Sequence, residues 1–113
     1  MKHVHFSDVE GSPVEEGAEG VAFRMLIGPE DGAANFYMRN FEIAPGGHTP
    51  LHEHAWEHEV FVHSGSGRVN TASGPEPISA GDVVFVPGGQ THQFENTGSE
   101  PLQIICLVPA ESG

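Results

Sequence analysis

The chain has 113 residues, with 4 Lys plus Arg against 16 Asp plus Glu and a formal net charge of −12. That length fits one domain with a real core, and that charge repels phosphate backbones and anionic lipid, so neither nucleic acid nor a membrane surface is expected as a partner. One Cys excludes an intramolecular disulfide framework and a multi-Cys zinc site; with no apolar leader and no long apolar run in the sequence, a cytoplasmic location is the expectation.

Residues 7–20 are acidic and Gly-rich without periodicity, and 1–20 read as a flexible lead-in to a single domain over 21–113. VAFRMLI (21–27) is a short apolar run with β-propensity, and GPEDGAA (28–34) is turn chemistry. NFYMRNFEI (35–43) is strand-like and APGG (44–47) predicts a second turn. EVFVH (59–63), RVNTA (68–72), EPISA (76–80), DVVFVP (82–87), THQFEN (91–96) and PLQIICLVPA (101–110) follow, each closed by its own Gly, Ser or Pro signals. Short strands at this spacing, with no sustained helical period, predict an all-β sandwich or barrel.

Histidine is the unusual residue. There are eight, and His48, His52, His54, His58 and His63 fall between positions 48 and 63. His52, His54 and His58 share parity, so on an extended chain their imidazoles face one side and can converge. Neutral imidazoles meeting in a strand-built cavity suit a divalent transition metal. A later segment brings His92 behind a Pro-Gly-Gly turn, as a fourth imidazole from another strand.

The first segment reads Gly46-x5-His52-x-His54-x3-His58-x6-Gly65, and the second Gly81-x5-Pro87-x-Gly89-x2-His92-x3-Asn96. Together they resemble the two signature motifs of the cupin family. The second matches at every fixed position. The first departs at one: His58 stands where the family has Glu, and the run to Gly65 supports that register. Choosing Glu59 instead would place the closing Gly on Ser66. HEHAWEHEVFV (52–62) and CLVPA (106–110) look like the small single-domain cupins with tetra-histidine sites. The resemblance implies a double-stranded β-helix (jelly-roll) barrel, often a homodimer. It implies one divalent metal on His52, His54, His58 and His92: manganese first, with iron, cobalt, nickel, copper or zinc as alternatives.

Four neutral ligands leave the full charge on the ion, which favours anionic substrates, oxyanions or enolates. They also leave up to two positions open on an octahedral ion. The leading expectation is an oxidoreductase of the dioxygenase type acting on a small molecule. A metal-dependent lyase or isomerase, and a non-enzymatic metal or small-ligand binding protein, are the alternatives. Arg39 shares parity with Tyr37, Phe41 and Ile43, and could pair a substrate carboxylate if that face lines the barrel; a surface ion pair is the simpler reading. Cys106 reads as a small buried hydrophobe or as a pocket thiol. His48 is a candidate for the pocket rim and, with Glu59, for a weak general base. Glu57 and Glu59 could orient His58 through its free ring N–H. His3, His5 and His63 read as surface or turn residues. Trp56 reads as shaping its turn, the Phe residues as core or dimer interface, and residues 21–27 as a segment exchanged between two copies.

Overall fold

Alternation of apolar and polar residues, stopped repeatedly by Gly and Pro, builds nine strands and no α-helix among the described residues. The computed structural model describes residues 1–112. The strands are β1 (Ser12–Val14), β2 (Glu19–Ile27), β3 (Phe36–His48), β4 (His58–Ser64), β5 (Ser66–Thr71), β6 (Gly74–Ser79), β7 (Val83–Val86), β8 (His92–Glu95) and β9 (Leu102–Pro109). All pairings are antiparallel. The strand path is β6-β5-β8-β3-β9-β4-β7, with β2 also on β3 and β1 on β2. The sheet curls on itself, giving the expected all-β jelly roll. No helix here is long and apolar enough to cross a membrane.

Parity decides what goes inside. Along β9 the inward row is Leu102, Ile104, Cys106 and Val108, all buried. Along β4 it is His58, Val60 and Val62. These rows meet Ile43, Val69, Ile78, Val86 and Phe94 in one core. Each fully buried aliphatic side chain contributes about 1.5–3 kcal/mol. Leu102 has no solvent exposure, so Leu102→Ala should lower unfolding stability by about 2–5 kcal/mol, measured as a drop in the urea midpoint at unchanged slope.

Two local expectations are corrected. Residues 44–47 do not break the chain: β3 continues through them to His48. Gly46 takes φ +81°, and a Cβ on Gly47 would lie 2.4 Å from the Glu19 carbonyl oxygen. These glycines admit an irregularity between β2 and β3, where the register shifts between Glu19 and Val21, instead of a turn. The second correction concerns the lead-in. Ser12–Val14 pairs with Val21–Phe23, and Arg24 Nε donates to the Val9 carbonyl at 2.9 Å. Its order comes from hydrogen bonds to the outer edge of β2, which leave no trace in apolar periodicity. β2, in turn, pairs with β1 and β3 of its own chain. Phe61, Val83 and Phe85 stay exposed on β4 and β7 and are not core.

Candidate metal centre

Three different devices bring the histidines together. His58 opens β4 and His92 opens β8, both on the inward side and both buried. His52 lies in the β3–β4 connection and is tied to His92 by reciprocal backbone bonds, His52 N–H to His92 O at 3.2 Å and the reverse at 3.0 Å. His54 sits further along the same connection, where its carbonyl accepts from Gly89 N–H at 2.7 Å. The Pro-Gly-Gly turn makes that approach possible: a Cβ on Gly88 would lie 2.2 Å from the Ala55 carbonyl oxygen. Asn96 locks the other end of the segment. Its buried amide donates to the Ile43 and Glu100 carbonyls at 2.8 Å each, and its Oδ1 accepts from Gly98 N–H at 2.8 Å.

Ligand nitrogens of His52, His54 and His92 all lie within 4.8 Å of one another. These three form the cluster that the geometry assembles. His58 adjoins it through His54, with the two Nε2 atoms 2.6 Å apart and the rings edge-on at 4.3 Å. Its ring centroid is 5.2 Å from that of His92.

The hydrogen bonds fix which nitrogens face inward. His54 Nδ1 donates to the Trp56 carbonyl at 3.1 Å, and His92 Nδ1 donates to the Gln90 carbonyl at 2.9 Å. A carbonyl can only accept, so each Nδ1 carries a proton, and in the neutral ring each Nε2 keeps its lone pair. That is the tautomer a metal ligand needs, held by backbone as outer-sphere partners hold it. Between the Nε2 atoms of His54 and His58, a 2.6 Å gap requires a shared proton or a cation. The donor set therefore fits a divalent transition ion.

Electrostatics favour the neutral form of His58, His52 and His92. Burial, reinforced by His54, Arg39, His92 and His52, pushes His58 down to about 3. Burial lowers His52 as well, with help from His92, His54 and Arg39. It lowers His92 too, partly opposed by the bond to Gln90. A neutral ring is ready to ligate without first losing a proton. Burial pushes the Cys106 thiol up, against the pull of Arg39, which keeps it a thiol and not a metal-binding thiolate.

The imidazoles form one wall of a cavity of about 180 Å³. Phe41, Phe94, Ile104 and Trp56 supply apolar walls, and no Asp or Glu among the described residues lines it. Arg39 and Cys106 both do. Arg39 Nη2 donates to Cys106 Sγ at 3.2 Å, and His58 Nδ1 lies 3.1 Å from the same sulfur.

Other candidates lie elsewhere. His48 is not on the cavity: its Nδ1 is 3.1 Å from the Thr49 carbonyl and 3.3 Å from Gln93 Nε2, and its Nε2 is 4.0 Å from Glu19. β3 ends at His48, so strand parity does not carry from His48 to His52. Glu59 points outward from β4 and bonds Glu57, which raises its pKa. His58 Nδ1 faces Cys106 Sγ at 3.1 Å and Arg39 Nη2 at 3.5 Å instead, while the Nδ1–H groups of His54 and His92 are held by backbone carbonyls, partners that no side-chain pattern could reveal. His63 is half-buried and not a surface residue, with Nε2 at 2.7 Å from Asn40 Oδ1. Trp56 does more than shape its turn. It stacks on His54 at 4.6 Å and 6°, and lines the cavity.

A curled antiparallel β-barrel with a histidine cluster in its cavity defines the class, a single jelly-roll domain around a candidate metal centre. Residues 39–108 match the Cupin domain family (Cupin_2), and the chain belongs to it. Among solved structures, it is similar to the polyketide cyclase RemF from Streptomyces resistomycificus. Identity is 35% and the TM-score 0.91, over 97% of this chain and 80% of that one. It is also similar to 1-methylthio-D-xylulose 5-phosphate methylsulfurylase of Rhodospirillum rubrum, 35% identical over 74 residues, covering 66% of this chain and 47% of the relative. An oxalate-binding protein of Thermotoga maritima is 34% identical over 68 residues, covering 59% and 56%. The chain spans about half the length of these two curated relatives.

Proposed function

We propose that this cupin is a metal-dependent enzyme acting on a small, carbonyl-bearing molecule, with His52, His54, His58 and His92 as the ligand set. The observation that carries the reading is the convergence of imidazoles, two of them oriented by backbone carbonyls, on an apolar-walled cavity that no carboxylate of the described residues lines. A divalent ion bound there supplies Lewis acidity at a substrate oxygen. The chain's own residues do the rest. The imidazoles add no negative charge. Phe41, Phe94 and Ile104 exclude water, which strengthens electrostatic interactions inside. Arg39 adds a fixed positive charge on the same cavity. Such a site favours a developing enolate or oxyanion. The likeness to a polyketide cyclase, which runs through nearly the whole chain, supports ring-forming or isomerising chemistry of this kind. Oxidoreductase chemistry of the dioxygenase type is the second reading, favoured by a four-nitrogen set that leaves octahedral positions free.

An all-imidazole set suits zinc, copper, iron or nickel better than manganese, which prefers oxygen ligands. Elemental analysis of untagged protein, purified without chelator or nickel resin, should find about one such ion per chain. Zinc without oxygen uptake supports the Lewis-acid reading. Iron or copper with substrate-dependent oxygen uptake supports the second. No bound ion after supplementation defeats both. The reading includes a homodimer in the cytoplasm. β7 ends the strand path, and its exposed Val83 and Phe85 would be covered by a second copy. A monomer mass in solution at micromolar concentration would defeat the dimer.

A further inference from the structure

The chain has 4 cationic Lys and Arg side chains. Lys2 pairs with Asp31, Arg24 with Glu42 and Arg68 with Glu95. Arg39 alone has no carboxylate within ion-pair distance among the described residues, although the chain carries 16 acids. It is also the one cationic side chain that lines the cavity. Its Nη2 touches Cys106 Sγ at 3.2 Å and His58 Nδ1 at 3.5 Å, and its Cζ lies 5.1 Å over the Phe41 ring. Its Nε is buried and has no hydrogen-bond partner.

A half-buried guanidinium with a free donor and no counter-charge is poorly solvated as it stands. An anion entering the cavity would supply the missing counter-charge. The size of the cavity limits that anion. An apolar cavity of roughly 150 Å³ holds one benzene, so about 180 Å³ takes one ring with a small substituent. Geometry limits it as well. A planar carboxylate matches the planar guanidinium fork, whereas a phosphate ester calls for several donors and Arg39 is the only cationic one on this cavity.

We infer that the cavity takes a carboxylate about one ring in size, and that Arg39 is the specificity-determining residue that holds its carboxylate while the ring lies against the aromatic wall. The inference rests on the metal-centre reading for what the imidazole wall does to that substrate. Arg39's own part does not, because the guanidinium is in place without an ion.

Benzoate and its neutral analogue benzamide are the probes. Binding is measured by calorimetry and by quenching of Trp56, the chain's single Trp, which lines the cavity. Both metal-loaded and chelator-treated protein are used. Benzoate should bind at least about tenfold tighter than benzamide in both forms. Arg39→Gln should weaken benzoate by about tenfold or more and leave benzamide within about twofold. Arg39→Lys keeps the charge and loses the fork, so it should retain part of the preference; it also serves as the test if Arg39→Gln does not fold. A benzoate preference that survives Arg39→Gln or is untouched by Arg39→Lys overturns the inference, as does benzoate binding only in the metal-loaded form. In that last case the metal-centre reading stands alone. Conversely, an Arg39-dependent preference in a protein that binds no metal sustains the anion site and removes the metal centre.

Discussion

His58→Ala should lower metal affinity by about 100-fold or more, while Glu59→Ala leaves it within about threefold; even partners outside the ligand shell cost about 10–100-fold when removed. His58 is buried on the inward row of β4 and its Nε2 lies 2.6 Å from that of His54. Glu59, the next residue, faces outward and bonds Glu57. One residue of register therefore separates a buried imidazole beside the cluster from a surface acid. His58→Gln keeps most of the side-chain volume and should show the same loss, which distinguishes ligation from packing. Competition with a chromophoric chelator measures the affinities. Loss of the ion from Glu59→Ala with retention in His58→Ala would mean that the carboxylate is the ligand. Retention in both would leave the His52, His54 and His92 cluster as the whole site.

Acidification should destabilise the metal-free protein well before its carboxylates titrate. His58 falls from the usual 6.5 to about 3 in the folded chain, and burial lowers His52, His92 and His63 too. Below pH 6.5 the unfolded chain therefore binds protons that the folded chain refuses, so stability falls as pH falls. His58's contribution is complete above about 6.5 and is lost progressively towards 3. After allowance for solvent screening it amounts to about 2–4 kcal/mol. Glu42, Asp31 and Glu95, held low mainly by Arg24, the Gly28 N–H and Asn70, also lose stability on acidification, but only below their ordinary range near 4. The window between pH 6.5 and 5 thus reports mainly the imidazoles; Glu59, raised towards it by Glu57, acts in the opposite direction. The urea midpoint of chelator-treated protein should decline there, and His58→Gln should flatten the decline. A midpoint that does not move between pH 7 and 5 would show that the rings are not held neutral. Protons and the ion compete for the same nitrogens, so metal-loaded protein should show a steeper decline than metal-free protein.

Most of the barrel was legible in the chain because each strand carries its own alternation and stop. β4 through β9 lie within a residue or two of the segments EVFVH to PLQIICLVPA. The two histidine segments were legible for a different reason: their fixed spacing includes Gly and Pro positions that only a particular turn requires. Parity grouped His52, His54 and His58, whereas the geometry brings His52, His54 and His92 together, with His58 adjoining through His54. Only His58 and His92 sit in strands; His52 and His54 are placed by a connection that the Pro-Gly-Gly turn allows to come close. Parity misplaced His48 for the same reason.

The sequence by itself determined the fold class and the register that makes His58 rather than Glu59 face inward, because period-two alternation and Gly or Pro geometry are local properties of the chain. Tertiary structure alone decided which ring nitrogen faces the cavity, because the carbonyls of Trp56 and Gln90 that settle it belong to backbone and carry no residue-type signal. It alone decided that Arg39 has no acid beside it, since ion pairing depends on which strands become neighbours across the sheet, and β3 sets Arg39 opposite Cys106 on β9.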